Sequence, residues 1–165
     1  MPAKKLREFL DDQGIQYVAI PHQVGYTARQ IAALTHTPNK ALAKTVIVKI
    51  DGVLAMVVLP ASYAVDLSLL RAETGARIAS LAKESEFKER FPEFEIGAMP
   101  PFGNLYGMTV YVEESLTKDE KISCNAGSHY ELLQISYADF ARVVKPRVLK
   151  FAGLRDAELL GAWHL

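Results

Sequence analysis

One lysine and two glycine-bearing turns have the residue types and spacing in this sequence that could do chemistry. Lys44 stands immediately before the β-branched run Thr45-Val46-Ile47-Val48. A lysine at the mouth of a strand is either a solvated end residue or a fixed cation that grips a phosphate or polarises a carbonyl. The segment Gly97-Ala98-Met99-Pro100-Pro101-Phe102-Gly103 sets two glycines around a rigid diproline. Each proline fixes its own φ and restricts the residue before it, so the segment is neither helix nor central strand but a stiff loop. Such a loop is a structural turn or a ligand contact. Asn125-Ala126-Gly127 offers a second stretch of thinly covered backbone, read either as a hairpin turn or as a place where a ligand approaches closely.

The elements that must hold these residues follow from periodicity. Leu6, Phe9 and Leu10 recur at helical spacing over residues 3–13, with Gly14 as the stop. Ile15 to Pro21 reads as a short strand, and Thr27 caps a predicted helix to about Thr35 with Ile31 and Leu34 on its buried side. The clearest signal is a β-hairpin, residues 43–50 and 53–60 around Asp51-Gly52, apolar enough to predict a central, largely buried pair. Asp66 to Thr74 reads as a helix closed by Gly75, and Lys83 to Phe91 as another ended by Pro92. Strands are predicted at Met108–Glu113, Lys121–Asn125 and Glu131–Ile135. Ser136-Tyr137-Ala138-Asp139 forms a capping box for a helix to Val144. An edge strand at Val148–Phe151 and a weakly helical tail, Leu154–Trp163, complete the pattern. Hairpins and helices are interspersed rather than strictly alternating. The expected fold is α/β (α+β), with a mixed, largely antiparallel sheet rather than a doubly wound parallel one.

Composition limits the function classes. The 165 residues are 50% hydrophobic and 23% charged, which suits one globular domain spanning 1–165. No apolar run approaches a membrane span, and the opening residues do not read as a secretory signal. A single cysteine, Cys124, supports a reducing, cytoplasmic setting. The formal net charge of zero argues against sequence-independent coating of nucleic acid, but permits a local basic face. Lys40, Lys44 and Lys49, and Lys145, Arg147 and Lys150, are either solvated charge or a grip on one RNA end. There is no Gly-x-Ser-x-Gly elbow, no phosphate-binding Gly-Lys-Ser/Thr loop and no dinucleotide glycine fingerprint. His22, His36, His129 and His164 are dispersed, so neither a metal site nor a cofactor is expected. Cys124 and His129 could form a nucleophilic pair, but the apolar neighbours of Cys124 favour a buried structural thiol.

Taken together, these motifs resemble the YbaK/ProX family of aminoacyl-tRNA deacylases, found also as the inserted editing domain of bacterial prolyl-tRNA synthetases. The resemblance runs from about Phe9 to Phe151. It rests on His22 with Thr27-Ala28, the Ala43-Lys44-Thr45 strand, Val58-Leu59-Pro60-Ala61, Val65-Asp66-Leu67, the Pro-Pro-Phe loop between Gly97 and Gly103, and Ile122 through Gly127. The resemblance does not extend past about Gly153.

The resemblance implies a barrel-like mixed sheet flanked by helices and hydrolysis, in trans, of the ester joining a wrong small amino acid to the 3′ end of tRNA. Alanine or cysteine on proline tRNA, or serine or threonine, are the implied substrates, with alanine on proline tRNA preferred. An aminoacyl-tRNA synthetase is a further partner, and monomer and homodimer both stay open. Carried over residue by residue, Lys44, Gly97 and Gly127 are catalytic: Lys44 contacts the terminal phosphate, and the glycines lie beside the ester. His22, Thr45, Met99, Pro100, Pro101, Phe102, Asn125, Ala126, Ser128 and His129 form the expected substrate-binding surface. The Gly-Ser-His-Tyr pattern around His129 departs from the family's. Two other readings remain: a tRNA-end or small-ligand binding module that lacks turnover, and an accessory subunit docking through Leu159, Leu160 and Trp163.

Overall fold

A computed structural model describes residues 4–22, 30, 33 and 41–154. Helix α1 (Lys4–Asp12) buries Leu6 and Leu10, one turn apart on the same face. Gly14 closes it at φ 67°. The Ile15 N–H bonds back to Leu10 O, so Ile15 belongs to the helix end. Strand β1 therefore begins later than expected, at Val18–Pro21. Of the expected Thr27–Thr35 helix only Gln30 and Ala33 are described, and both are helical. The tail beyond Leu154 lies outside the described residues.

The hairpin forms as β2 (Ala43–Ile50) and β3 (Val53–Pro60), in unbroken register from Ala43↔Pro60 to Ile50↔Val53. Asp51 and Gly52 both take positive φ, the geometry whose twist matches the flanking strands. The Asp51 carboxylate also accepts the N–H groups of Arg77 and Ile78, which pins the turn. Strand β4 (Tyr63–Val65) follows, then α2 (Leu67–Thr74), capped by Asp66 and ended by left-handed Gly75. Neither β4 nor the short β5 (Ala79–Leu81) carries an alternating signal long enough to read from sequence.

The expected Lys83–Phe91 helix is shorter. Only α3 (Glu84–Phe87) is α-helical, and Lys88–Arg90 tightens into a 3-10 turn. Pro92 forces Phe91 out of helical geometry, to φ −126° and ψ 58°, so the helix cannot run through it. Strand β6 (Val110–Glu113) starts two residues late because the Met108 N–H closes the 3-10 turn Gly103–Tyr106. Strands β7 (Lys121–Asn125) and β8 (Glu131–Ser136) form as read. Helix α4 (Tyr137–Val144) is capped by the Ser136 hydroxyl, which accepts the Asp139 N–H. The last edge strand shifts to β9 (Arg147–Leu149), followed by β10 (Ala152–Leu154). Phe151 turns inward instead, its N–H and that of Ala152 held by the buried Glu113 carboxylate.

Three sheets result among the described residues: β5-β2-β3-β6-β9, β1-β8-β7 and β10-β4. All pairings are antiparallel except β3–β6 and β6–β9, so the sheet is mixed and largely antiparallel. The two larger sheets meet at one parallel bridge, Leu42↔Ser123, and do not close into a continuous barrel. The main core fills the space between them with Phe91, Phe102 and Phe140. A second core, with Val57, Leu59 and Phe151, lies under Leu70 of α2.

Candidate active site

The bridge at Leu42↔Ser123 joins the chain just before Lys44 to β7. Partners in a bridge point to the same side of the sheet, and so do residues two apart along a strand. The bridge lies two residues before half-buried Lys44 on one strand and two residues before Asn125, the end of β7, on the other. Asn125 Nδ2 donates to Gly97 O at 3.4 Å. The Asn125 amide thereby ties the end of β7 to the first glycine turn.

Two backbone bonds lock the two turns together. Glu95 N donates to Gly127 O at 2.8 Å, and Gly127 N donates to Ala98 O at 3.0 Å. Only a glycine fits here: Gly127 has φ 105°, and an added Cβ would lie 2.7 Å from Phe94 Cδ1. Both of its backbone groups are consequently committed to holding the loop. Gly97, at φ 87°, is exposed, and its N–H is directed at Met99 Sδ, 3.3 Å away. Sulfur is a weak acceptor, so this donor is the one most readily surrendered to a stronger oxygen.

His129 forms the wall beside Gly97, its Cε1 3.5 Å from where a Cβ on the glycine would be. Its Nε2 lies 3.0 Å from Ile96 O. A carbonyl only accepts, so Nε2 is the donor in this contact. The His129 N–H donates to Glu95 Oε2 at 3.2 Å, and the same oxygen is 3.9 Å from Nε2. His22 joins from the end of β1, its N–H bonded to Tyr130 O, while Ser128 Oγ accepts the Tyr130 N–H.

Gly97, Asn125, Gly127, Ser128, His129 and His22 thus gather around the β7–β8 turn, and Lys44 stands two residues beyond the bridge that joins its strand to β7. Of the other expected contact residues, Met99 meets the site through its sulfur, and the rest are covered or turned to the core. Phe102 is fully buried in edge-on contact with Phe9 and Phe140, ring centroids 6.2 and 5.7 Å apart. Met99, Pro100, Pro101 and Ala126 are also buried, so they shape the loop from beneath. Thr45, one residue on from Lys44 and opposite Val58, alternates to the main-core side. Cys124 is 1% exposed, and burial pushes its thiol up to about 12, which agrees with a structural role. Lys49 is engaged by Glu86 at 2.7 Å, and that bond holds the Glu86 carboxyl below its usual range. Glu95 was not visible from the sequence as a site residue. The only sign is an acidic residue between apolar Phe94 and Ile96, two positions before a glycine.

No group of metal-ligating side chains occurs among the described residues. A cavity of about 770 Å³ lies elsewhere, lined by Asp11, Tyr17, Lys121, Gln134 and Asp139 at the opposite ends of β7 and β8. It contains none of the residues expected to act. Among the described residues no helix is long and apolar enough to cross a membrane.

The fold has counterparts among known proteins. The pattern of the aminoacyl-tRNA editing domain matches residues 22–143, and the chain belongs to that family. A solved structure of a protein described as hypothetical is 20% identical, with a TM-score of 0.80, covering 91% of this chain and 100% of its own. Another, described as a "putative trans-editing enzyme for prolyl tRNA synthetase", is 17% identical with a TM-score of 0.78, covering 91% and 96%. At these identities the likeness establishes the YbaK-like fold. No curated protein sequence matches the chain.

Proposed function

We propose that this chain is a single editing domain that hydrolyses, in trans and in the cytoplasm, the ester of a small mischarged amino acid at the 3′ end of tRNA. The observation that carries this reading is the clamp between the Gly97 and Gly127 turns, with Asn125 holding the carbonyl of Gly97 and the bridge Leu42↔Ser123 joining the chain just before Lys44 to β7. That arrangement supports a cation and an exposed glycine turn on one side of one cleft. An aminoacyl ester is activated by its own ammonium and by the neighbouring ribose hydroxyl, so it needs no triad. Lys44 fixes the terminal phosphate and hence the register of the ester. The Gly97 N–H moves from Met99 Sδ to the developing oxyanion, where one such donor contributes on the order of 3 kcal/mol. Gly127 serves by locking the turn, since both its backbone groups are engaged. The ribose 2′-hydroxyl positions or deprotonates the attacking water, and the His129 ring walls the site beside Gly97.

The preferred substrate is alanine on proline tRNA. A small pocket discriminates weakly among small side chains, about 1–3 kcal/mol per methylene, so neighbouring substrates are cleaved more slowly rather than rejected. The test is a panel of tRNAs mischarged with alanine, cysteine, serine or threonine, following release of amino acid. Saturable binding without release from any of them would replace this reading with the binding module, which the engagement of both Gly127 backbone groups favours.

A further inference from the structure

We propose that Glu95 recognises the α-ammonium of the aminoacyl group, an inference that rests on the substrate class just proposed. The carboxylate is half-exposed on the rim formed by Gly97 and His129. Its Oε2 is held by the His129 N–H, and among the described residues Oε1 accepts no hydrogen bond. The side chain is therefore fixed at one oxygen and open at the other. Its own N–H, bonded to Gly127 O, fixes the backbone as well. The carbonyls of Ile96 and Gly97 lie in the same turn, so this end of the cleft is rich in acceptors.

An aminoacyl-tRNA end has a matching polarity, with an ammonium on the amino acid and an anionic phosphate a few bonds away. Lys44 stands on β2, two residues from the bridge to β7, and Glu95 stands in the glycine turn clamped to Gly127 just past the end of β7. A substrate laid between them has each charge opposite its complement, and reversing it places like charges together. Glu95 thereby reads the free amine that distinguishes an aminoacyl ester from an N-blocked one.

The test uses a 3′-amide analogue of alanyl-adenosine, which resists hydrolysis, and its N-acetyl counterpart, titrated calorimetrically into the full chain. The wild type is expected to prefer the free amine by about tenfold, as for one hydrogen bond to a charged group. Glu95→Gln keeps an oxygen for the His129 N–H but loses the charge, so the preference falls to near parity while N-acetyl binding stays unchanged. Equal weakening of both probes would mean that Glu95 only holds the loop, and it would overturn the proposal. A preference that persists in the variant, or is absent from the wild type, overturns it too. Release from mischarged tRNA is measured separately. Amine-selective binding with no release sinks the hydrolytic function and leaves this recognition standing.

Discussion

Gly127 packs its bare Cα against the ring of Phe94, leaving only 2.7 Å between the ring's Cδ1 and any Cβ added there. The same glycine has φ 105° and exchanges hydrogen bonds with Glu95 and Ala98. Close approach, backbone conformation and loop closure therefore all depend on the absence of one methyl group. Gly127→Ala must push back a ring that packs on Phe91 and Tyr106. Left-handed strain costs about 1–2 kcal/mol and overpacking about 1–3 kcal/mol. The expected result is a melting temperature lower by roughly 5–15 °C, with deacylation lost in parallel. A variant that melts with the wild type would show that Phe94 yields freely.

Gly97 offers the contrasting case. A Cβ there meets His129 only at ordinary contact distance, 3.5 Å, so the cost is conformational strain alone, from φ 87°. Gly97→Ala should destabilise by about 1–2 kcal/mol, less than Gly127→Ala. Its effect on activity should nonetheless be the larger relative to stability, because the methyl narrows the cleft beside the proposed oxyanion donor. Steady-state kinetics alongside thermal melts separate the two. If activity tracks stability in both variants alike, the N–H of Gly97 is not the donor.

Local signals made much of this fold legible, and distant ones did not. The hairpin could be read because Asp51-Gly52 and the β-branched arms specify it within a few residues, and the caps at Asp66 and Ser136 act over three. The site could be read as a set of motifs, but not as a geometry. That Phe102 belongs to the core depends on Phe9 and Phe140, far away in sequence. That Glu95 grips His129 depends on two turns 34 residues apart being clamped by Gly127. The break in the Lys83–Phe91 helix was foreshadowed by Pro92, but the 3-10 tightening one turn earlier was not.

Lys44 tests the proposed chemistry most directly. Lys44→Met removes the charge and keeps the methylene stem that lies on the strand opposite buried Leu59. The expected outcome is a fall in kcat/KM of about 100-fold or more, the scale of removing one electrostatic contact in an active site. The melting temperature should move by no more than about 3 °C. A fully active Lys44→Met would exclude a part for the ammonium in either binding or chemistry.

Cys124 predicts how stability depends on alkaline pH. Burial raises the thiol from 9.0 to about 12, so the folded chain holds its proton where the unfolded chain has released it. The stabilisation from the neutral thiol is thus complete below pH 9, and it is lost as pH rises towards 12. In that window the single group makes stability fall by up to about 1.4 kcal/mol per pH unit. Cys124→Ala removes this part of the slope and leaves that of the half-buried tyrosines Tyr17, Tyr106 and Tyr137, whose hydroxyls burial also raises, so the difference between the two proteins isolates the thiol. Urea denaturation from pH 8 to 11 measures it. The variant should begin less stable, from the small cavity beside Leu133 O where Sγ now lies at 3.6 Å, and should close the gap as pH rises. Deacylation at pH 7.5 should survive the substitution. Curves that stay parallel across the range would mean that the thiol ionises alike in both states, and loss of turnover without loss of fold would restore Cys124 as a nucleophile.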